Sequence, residues 1–187
     1  METRRLVVGM TGASGAVLTL ELLRRLRTVP AWETHFVMSR GAEATIGYEL
    51  PGRREELLSL ADRVYENSQI DAAIASGSFA VDGMVVIPCS MKTAAGIHSG
   101  YADTLLLRAA DVTIKEGRPL VLVPRETPLS PIHLRNLHEL SLMGAAVIPP
   151  VMTFYNAPQT VDDMVQHIVG KILDRLGIPT EYRRWNG

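Results

Sequence analysis

The sequence predicts an α/β fold in which a parallel sheet is covered by helices on both faces, and three observations support this prediction. Apolar runs of strand length recur along the chain. Segments whose apolar residues follow helical spacing alternate with these runs. Polar or glycine-rich loops directly follow three of the runs. Strands that are apolar throughout are typical of parallel sheets buried between two helical layers, which bind ligands at the carboxyl ends of the strands.

Each element follows from its local pattern. Strands are predicted at residues 4–10, 35–38, 83–88, 120–123 and 145–148, which are mostly apolar. Helices are predicted at residues 16–27, 41–49, 55–65, 105–110, 132–143 and 161–176, with a further helix beginning near residue 90. Residues 70–78 are too short and plain to assign. The chain has no linker or repeat, so we expect residues 1–187 to form one Rossmann-like (flavodoxin-like) three-layer domain.

Composition and charge exclude several classes of protein. Apolar residues make up 47% of the chain and aromatic residues 5%, so the core must be mainly aliphatic. With 19 basic and 20 acidic residues, the net charge of −1 gives no general attraction to nucleic acid or to an anionic membrane. A single cysteine, Cys89, excludes an internal disulfide. No apolar segment approaches the roughly 18 residues of a membrane span, and we expect a cytoplasmic protein.

The five histidines do not form a metal-binding pattern. His98, His133, His138 and His167 fall in predicted helices and His35 in a strand, and no pair has the i, i+4 spacing with a third ligand. We therefore predict no metal site.

The first polar loop, residues 9–15, is rich in glycine and lies between a strand and a helix. Gly9, Gly12 and Gly15 let the backbone approach a ligand closely, and the start of the following helix favours an anion. Ser14 adds a hydroxyl. The alternative is a tight turn and helix cap without a ligand.

The second polar loop follows the strand at residues 83–88. It presents Ser90, Met91, Lys92 and Thr93 at a predicted helix start, which suits a phosphate or the polar edge of a heterocycle. The alternative is a helix cap by Ser90 or Thr93 with a solvated lysine. Cys89 directly follows the strand, a position more typical of a small core residue than of a nucleophile.

The third polar loop places Arg125 and Glu126 between two prolines at the end of a strand. Arg125 can bind a phosphate with its planar fork, and Glu126 can orient it or transfer a proton. Arg108 and Lys115, in contrast, are first interpreted as charges on a helix face and at a helix end. The segment 183–185, Arg-Arg-Trp, is either a charged tail or a basic and aromatic lid over an anionic ligand.

Several long motifs together resemble the UbiX-type flavin prenyltransferases. They are GMTGASGA, VMSR, DGMVVIPCSMKT, RAADVTIKEGRPLVLVPRE, LSPIHLRN and FYNAPQTVDD, and they span nearly the whole chain. The stretches IPCSMKT, GIHSGYAD and YRRW are similar to the paralogue encoded beside hydroxyarylic (phenolic) acid decarboxylases. The resemblance implies a single FMN-binding domain that assembles as a dodecamer.

The resemblance also implies a reaction. Members of the family join the dimethylallyl group of dimethylallyl phosphate to reduced FMN at N5 and C6, without a metal. The prenylated FMN then serves a UbiD-type decarboxylase. By the same resemblance, Ser14, Glu49 and Glu126 are catalytic. The FMN-binding residues implied are Gly12, Ala13, Ser14, Ser39, Ser90, Met91, Lys92, Thr93 and Arg125.

The resemblance further implies that Arg108, Lys115, Tyr155 and Lys171 bind the phosphate of dimethylallyl phosphate, partly from neighbouring subunits. Stabilisation of the departing phosphate by such cations is chemically sound, because cleavage of the allylic C–O bond builds negative charge there. Position 171 is Lys where many members have Arg, which keeps the charge but loses the bidentate fork.

Three other functions remain as alternatives. A flavin-dependent cysteine-type decarboxylase of the same broad fold would carry an Asn-containing loop and a catalytic His after an early helix. The second polar loop here lacks the Asn, and no His matches that position. A non-enzymatic FMN-carrying accessory subunit would not need a second phosphate site. An FMN-dependent decarboxylase of aromatic acids is the third alternative.

Overall fold

The computed structural model describes residues 3–184, which form six strands and seven α-helices. The strands are β1 (Arg4–Met10), β2 (Trp32–Met38), β3 (Arg63–Tyr65), β4 (Gly83–Cys89), β5 (Leu120–Pro124) and β6 (Ala146–Val147). The helices are α1 (Ala16–Thr28), α2 (Arg40–Glu49), α3 (Arg54–Ser59), α4 (Met91–His98), α5 (Leu105–Lys115), α6 (Pro131–Leu142) and α7 (Val161–Arg175). No helix in this range is long and apolar enough to cross a membrane.

All strand pairs of the single sheet are parallel, in the order β3-β2-β1-β4-β5-β6. This confirms the predicted Rossmann-like parallel sheet. The strand order reverses between β1 and β4, where the chain leaves β1 toward one side and β4 toward the other. Doubly wound folds bind ligands at this switch point, outside the carboxyl ends of the two strands. The first and second polar loops follow β1 and β4 and therefore lie side by side at this point.

Two aliphatic cores cover the two faces of the sheet. Val8, Val85 and Val121 face the core under α1, α2, α3 and α7. In each of these three strands, the residues directly before and after this valine face the second core, under α4, α5 and α6. Alternate strand residues are thus buried on opposite faces, which explains why the strands are apolar throughout.

Hydroxyl side chains fix where most of the helices begin. The Oγ or Oγ1 atoms of Ser39, Ser90, Thr104, Ser130 and Thr160 each accept a hydrogen bond from the backbone N–H three residues later. Such N-caps satisfy an amide that has no partner within the helix. Two of them, Ser39 and Ser90, set the starts of α2 and α4 at the carboxyl edge of the sheet.

The helix predicted at residues 55–65 is wrong in its second half. Helix α3 ends at Ser59, and residues 63–65 form the edge strand β3. The Asp62 carboxylate accepts hydrogen bonds from the backbone N–H (2.8 Å) and Oγ1 (2.9 Å) of Thr34 on β2. This contact between distant residues aligns the chain beside β2 and overrides the helical spacing. Residues 70–78, left unassigned, contain one 3₁₀ turn at Ala73–Ala75.

Candidate flavin site

A cleft of about 620 Å³ opens at the carboxyl edge of the sheet, between the ends of β1, β2 and β4. Its volume is in the range typical of small-molecule and cofactor sites. Five of the nine predicted FMN-binding residues line it, namely Gly12, Ser39, Ser90, Lys92 and Thr93, whereas Ala13, Ser14, Met91 and Arg125 do not. The first two polar loops therefore meet in one cavity, as the sequence predicts.

Glycine is required where the first loop crosses the start of α2. A Cβ atom at Gly12 would lie 2.9 Å from both the Cα and the carbonyl carbon of Gly41. A Cβ atom at Gly41 would in turn lie 3.2 Å from the Cα of Gly12. The two backbones touch at the cleft wall, so that a ligand there meets main chain instead of side chains. The sequence indicated Gly12 but not Gly41.

Two helix starts face the same cleft. The Oγ atom of Ser39 accepts from the N–H of Ala42 (3.3 Å), and that of Ser90 accepts from the N–H of Thr93 (3.3 Å). Ser90 Oγ also shares a hydrogen bond with Thr93 Oγ1 at 3.1 Å. Helix N-termini carry partial positive charge and favour anions. The capping alternative and the ligand-site interpretation are thus compatible at Ser90, because the capped helix start itself lines the cleft.

Thr11 joins the two loops. Its hydroxyl donates to the carbonyl oxygen of Pro88 (2.7 Å) and accepts from the N–H of Ser90 (2.7 Å). The side chain is almost fully buried. Thr11 was not predicted, because a threonine after a strand carries no signal that its partners lie 77 and 79 positions away.

Glu49, at the end of α2, caps the start of α1. Its Oε2 atom accepts from the N–H groups of Gly15 (2.8 Å) and Ala16 (2.7 Å), and its carboxylate also accepts from the Ser14 hydroxyl. Partial desolvation would raise the pKa of Glu49, but these three hydrogen bonds and the charge of Arg125 together hold it below its usual value. The structure thus brings together Ser14 and Glu49, both predicted to be catalytic. Ser14 lies two residues after Gly12 of the cleft wall, but neither Ser14 nor Glu49 lines the cleft itself.

The third loop lies beside the second. The N–H of Arg125 donates to the carbonyl oxygen of Cys89 (3.2 Å), which fixes Arg125 next to β4 and within electrostatic reach of Glu49. The exposed Glu126 accepts a hydrogen bond from the N–H of Thr127 (3.1 Å). The three predicted loops therefore share one edge of the sheet.

Cys89 and Met91 point into the core. Burial raises the pKa of the Cys89 thiol to about 12, so it is un-ionised at neutral pH and unsuited to act as a nucleophile. The Met91 side chain is also buried, in the core under α4. Met91 can therefore contribute only backbone atoms to a ligand in the cleft.

The four residues predicted to bind the substrate phosphate do not gather within one protomer. Lys115 ends α5 and lies 3.7 Å from Glu116, while Lys171 lies on α7, which covers the opposite face of the sheet. Arg108 pairs with Asp111 at 2.7 Å. The ring of Tyr155 contacts His167 edge-on, with the centroids 6.5 Å apart. A common phosphate site formed by these residues requires neighbouring subunits, and that part remains a prediction.

Several residues that line the cleft were not predicted. They are Arg40, Gly41, Asn67, Ala95, Gly96, Ser99, Tyr101, Asp103, Thr104, Leu106 and Leu107. Asn67 also accepts from the N–H groups of Leu105 and Leu106, both at 2.9 Å, and so fixes the start of α5. Thr104 could have been predicted as an N-cap, because it is a polar residue directly before α5. Asn67 could not, because it lies in a loop far from α5 in the sequence and no local pattern marks it.

Two remaining predictions concern metals and the C-terminal tail. Residues 3–184 contain no group of three or more His, Cys, Asp or Glu side chains placed to hold a metal ion. In the tail, Arg184 binds Asp174 of α7 with two hydrogen bonds of 2.5 and 2.6 Å. Trp185 lies outside the described residues.

Comparison with known proteins identifies the family. Residues 1–173 match the Flavoprotein family model. The chain is 56% identical to a probable UbiX-like flavin prenyltransferase of Escherichia coli O157:H7, over 98% of this chain and 93% of the relative. It is 52% identical to the flavin prenyltransferase LpdB of Lactiplantibacillus plantarum, over 98% and 99% of the two chains.

Solved structures support the same family assignment. A dodecameric FMN-dependent UbiX-like decarboxylase from Escherichia coli O157:H7 superposes with a TM-score of 0.95 at 55% identity, over 98% of this chain and all of the other. AnUbiX (PadA1), in complex with FMN and dimethylallyl pyrophosphate, gives a TM-score of 0.96 at 50% identity, over 100% and 99%. The peptidyl-cysteine decarboxylase EpiD shares only the fold, with a TM-score of 0.65 at 17% identity. This chain belongs to the UbiX-like flavin prenyltransferases of the Flavoprotein family.

Proposed function

We propose that this protein is a flavin prenyltransferase that joins the dimethylallyl group of dimethylallyl phosphate to reduced FMN. The observation that carries the proposal is the hydrogen-bonded pair Ser14–Glu49, because Ser14 lies two residues after Gly12, which lines a cleft of about 620 Å³. The AnUbiX structure, with FMN and dimethylallyl pyrophosphate bound, supports the same pairing of substrates.

The cleft fits FMN in three ways. The contact between Gly12 and Gly41 leaves main chain at its wall, where a Cβ atom at either residue would be too close. The capped starts of α2 and α4, at Ser39 and Ser90, favour a phosphate. Lys92 adds a positive charge at the cleft wall. Ala13, Met91, Thr93 and Arg125 complete the proposed flavin contacts, Met91 through its backbone.

Reduced FMN, when bound, supplies the nucleophilic N5 and C6 atoms to which the dimethylallyl group is joined. The Ser14 hydroxyl and Glu49 carboxylate then accept and relay the proton that ring closure releases. Glu126, next to Arg125, orients that guanidinium at the donor phosphate or transfers a proton there. The cations Arg108, Lys115 and Lys171, with the Tyr155 hydroxyl, stabilise the charge that builds on the departing phosphate.

The proposed active unit is a homo-oligomer, because Lys115 and Lys171 belong to opposite faces of one protomer and can share a phosphate only between copies. We infer a dodecamer, the assembly of the UbiX-like relative from Escherichia coli O157:H7. Exposed apolar side chains at Val151, Met152 and Phe154 offer a surface for contact between copies. We further propose a cytoplasmic location and a UbiD-type decarboxylase that receives the prenylated FMN.

One assay tests the proposed reaction. The protein is incubated anaerobically with reduced FMN and either dimethylallyl phosphate or dimethylallyl pyrophosphate, and the flavin is then analysed by mass spectrometry. We expect a mass increase of one C5 unit and stoichiometric release of phosphate or pyrophosphate. FMN binding without either change would favour the accessory subunit. Loss of carbon dioxide from an aromatic acid, with the flavin unmodified, would favour a decarboxylase.

A further inference from the structure

The C-terminal segment crosses α7 at a position where only glycine fits. The ring of Tyr182 lies directly over Gly170, and a Cβ atom at Gly170 would overlap Cδ1 and Cγ of that ring. Tyr182 also contacts His167 edge-on, at 5.5 Å between the centroids. This packing holds the end of the chain against the helix that carries Lys171.

Two side chains of the same segment form hydrogen bonds with the carboxylate of Asp174. The Tyr182 hydroxyl donates to Oδ2 (2.6 Å), and Arg184 donates from Nη1 to Oδ2 (2.5 Å) and from Nη2 to Oδ1 (2.6 Å). The Arg184 guanidinium also stacks 4.3 Å from the centre of the Tyr182 ring. A single exposed ion pair is weak, but a bidentate fork that is also stacked on an aromatic ring has a defined geometry.

Asp174 lies three residues after Lys171 on the same helix, and residues at this spacing face each other on a helix surface. Without the hydrogen bonds from Tyr182 and Arg184, the Asp174 carboxylate would be free to form an ion pair with the Lys171 ammonium. Among the described residues Lys171 forms no salt bridge. Asp174 is hydrogen-bonded to Arg184 and Tyr182, and after Arg184 and Tyr182 the charge of Lys171 also helps to hold the pKa of Asp174 below its usual value, without a direct ion pair. Lys171 is exposed, with its ammonium available to another anion.

We propose that Arg184 and Tyr182 are positioning residues for the donor phosphate: they occupy Asp174 and thereby keep the Lys171 ammonium available for dimethylallyl phosphate. The inference rests on the proposed function of Lys171. Arg184 acts through Asp174 in this arrangement and does not itself contact the substrate.

The test compares Arg184→Met with the double variant Asp174→Asn/Arg184→Met. In Arg184→Met, Asp174 is released to pair with Lys171, and we expect KM for dimethylallyl phosphate to rise about tenfold, the equivalent of about 1.4 kcal/mol. The turnover number and the affinity for FMN should stay unchanged. In the double variant the competing carboxylate is gone, so KM should return to within about twofold of the wild type.

Arg175→Met is the matched control. It removes the same charge from the last turn of α7, beside Asp174 in sequence, and Asp174 is bonded to Arg184 instead. We expect its KM to be that of the wild type. An unchanged KM in Arg184→Met would overturn the proposal. So would a double variant as weak as Arg184→Met, because that result would mean that Arg184 binds the substrate directly.

A binding measurement separates this inference from the proposed function. Dimethylallyl phosphate is titrated calorimetrically into each protein loaded with oxidised FMN, so that no turnover is needed. The dissociation constant should follow the same pattern: weaker in Arg184→Met and restored in the double variant. If the wild type binds the donor in this pattern but never prenylates the flavin, the proposed function fails and the positioning role stands. If the affinities of all variants are equal, the positioning role fails.

Discussion

Glu49 shows how one residue can join the fold and the chemistry. Helix α1 begins after Gly15, which has no side chain to cap it, and the Glu49 carboxylate takes the two free amides instead. The same contact brings the carboxylate to the Ser14 hydroxyl. The cap therefore places the proposed proton relay, and the resemblance alone, which indicated both residues, did not reveal this connection.

We expect Glu49→Gln to reduce turnover about 10²- to 10⁴-fold, the usual range for loss of an acid–base group. FMN should remain bound, because the amide oxygen of Gln can still accept from Gly15 and Ala16 and keep the first loop in place. Single-turnover assays and equilibrium FMN titration measure the two effects separately. Loss of FMN binding in this variant would contradict the catalytic role.

Glu49 should also make stability depend on pH. Its pKa is lowered in the folded protein from the ordinary value of 4.5, so its ionised form stabilises the fold. This contribution is complete above pH 4.5 and is lost as the pH falls through the lowered pKa. The difference in unfolding free energy between the wild type and Glu49→Gln, measured with urea, should therefore shrink in that range. A difference that stays constant down to the acid limit would contradict the assignment.

Gly12→Ala should weaken FMN binding, because its Cβ atom would lie 2.9 Å from the backbone of Gly41 and must push the start of α2 away. Gly47→Ala, on the same helix, is the matched control, since a Cβ atom there meets nothing within 4 Å. The control should gain up to about 1 kcal/mol of stability from helix propensity. FMN titration and thermal unfolding of both variants check the pair, and equal affinities would contradict the close-contact explanation.

At the scale of the element, the strands were easier to predict than the segments between them. Strand β1 was predicted with the bounds it has, because residues 6–10 are apolar on both faces and a glycine-rich loop follows them. Strand β3 was missed, because its place beside β2 depends on the bond between Asp62 and Thr34. A contact between residues 28 positions apart leaves no local pattern, and the helical spacing at residues 55–65 predicted the wrong element.

Helix α7 and the C-terminal segment should come apart when Gly170 is replaced. Gly170→Ala favours the helix by its propensity, but its Cβ atom would overlap the Tyr182 ring. We therefore expect faster tryptic cleavage after Arg183 and Arg184, both of which are exposed. The rates are measured by mass spectrometry under native conditions, with Gly47→Ala as the control. Equal cleavage rates in both variants would contradict this packing.

At the scale of the whole molecule, the sheet order explains why the site could be placed before its contacts were known. The order reverses between β1 and β4, and the loops after these strands meet there whatever their detailed geometry. The residues that neighbouring copies are proposed to contribute could not be derived in this way. They depend on surfaces such as the exposed loop around Phe154, which one chain leaves uncovered.

Mixed oligomers test whether the donor site spans subunits. Lys115→Met and Lys171→Met should each be nearly inactive, because each removes a charge that stabilises the departing phosphate. When the two variants are unfolded together and refolded, some interfaces will pair an intact Lys115 with an intact Lys171 of another copy. Part of the activity should return, measured against each variant refolded alone. No recovery, with oligomer size unchanged by light scattering, would contradict a shared site.

The position of Lys115 and Lys171 on opposite faces of the sheet bears on how this enzyme responds to dilution. If each donor site needs two copies, the protein is fully active only above the concentration at which its subunits associate. Specific activity should then fall on dilution, while FMN should stay bound if the proposed cleft of one chain holds it. The amount of enzyme in the cell would set not only how many sites exist but what fraction of them is complete.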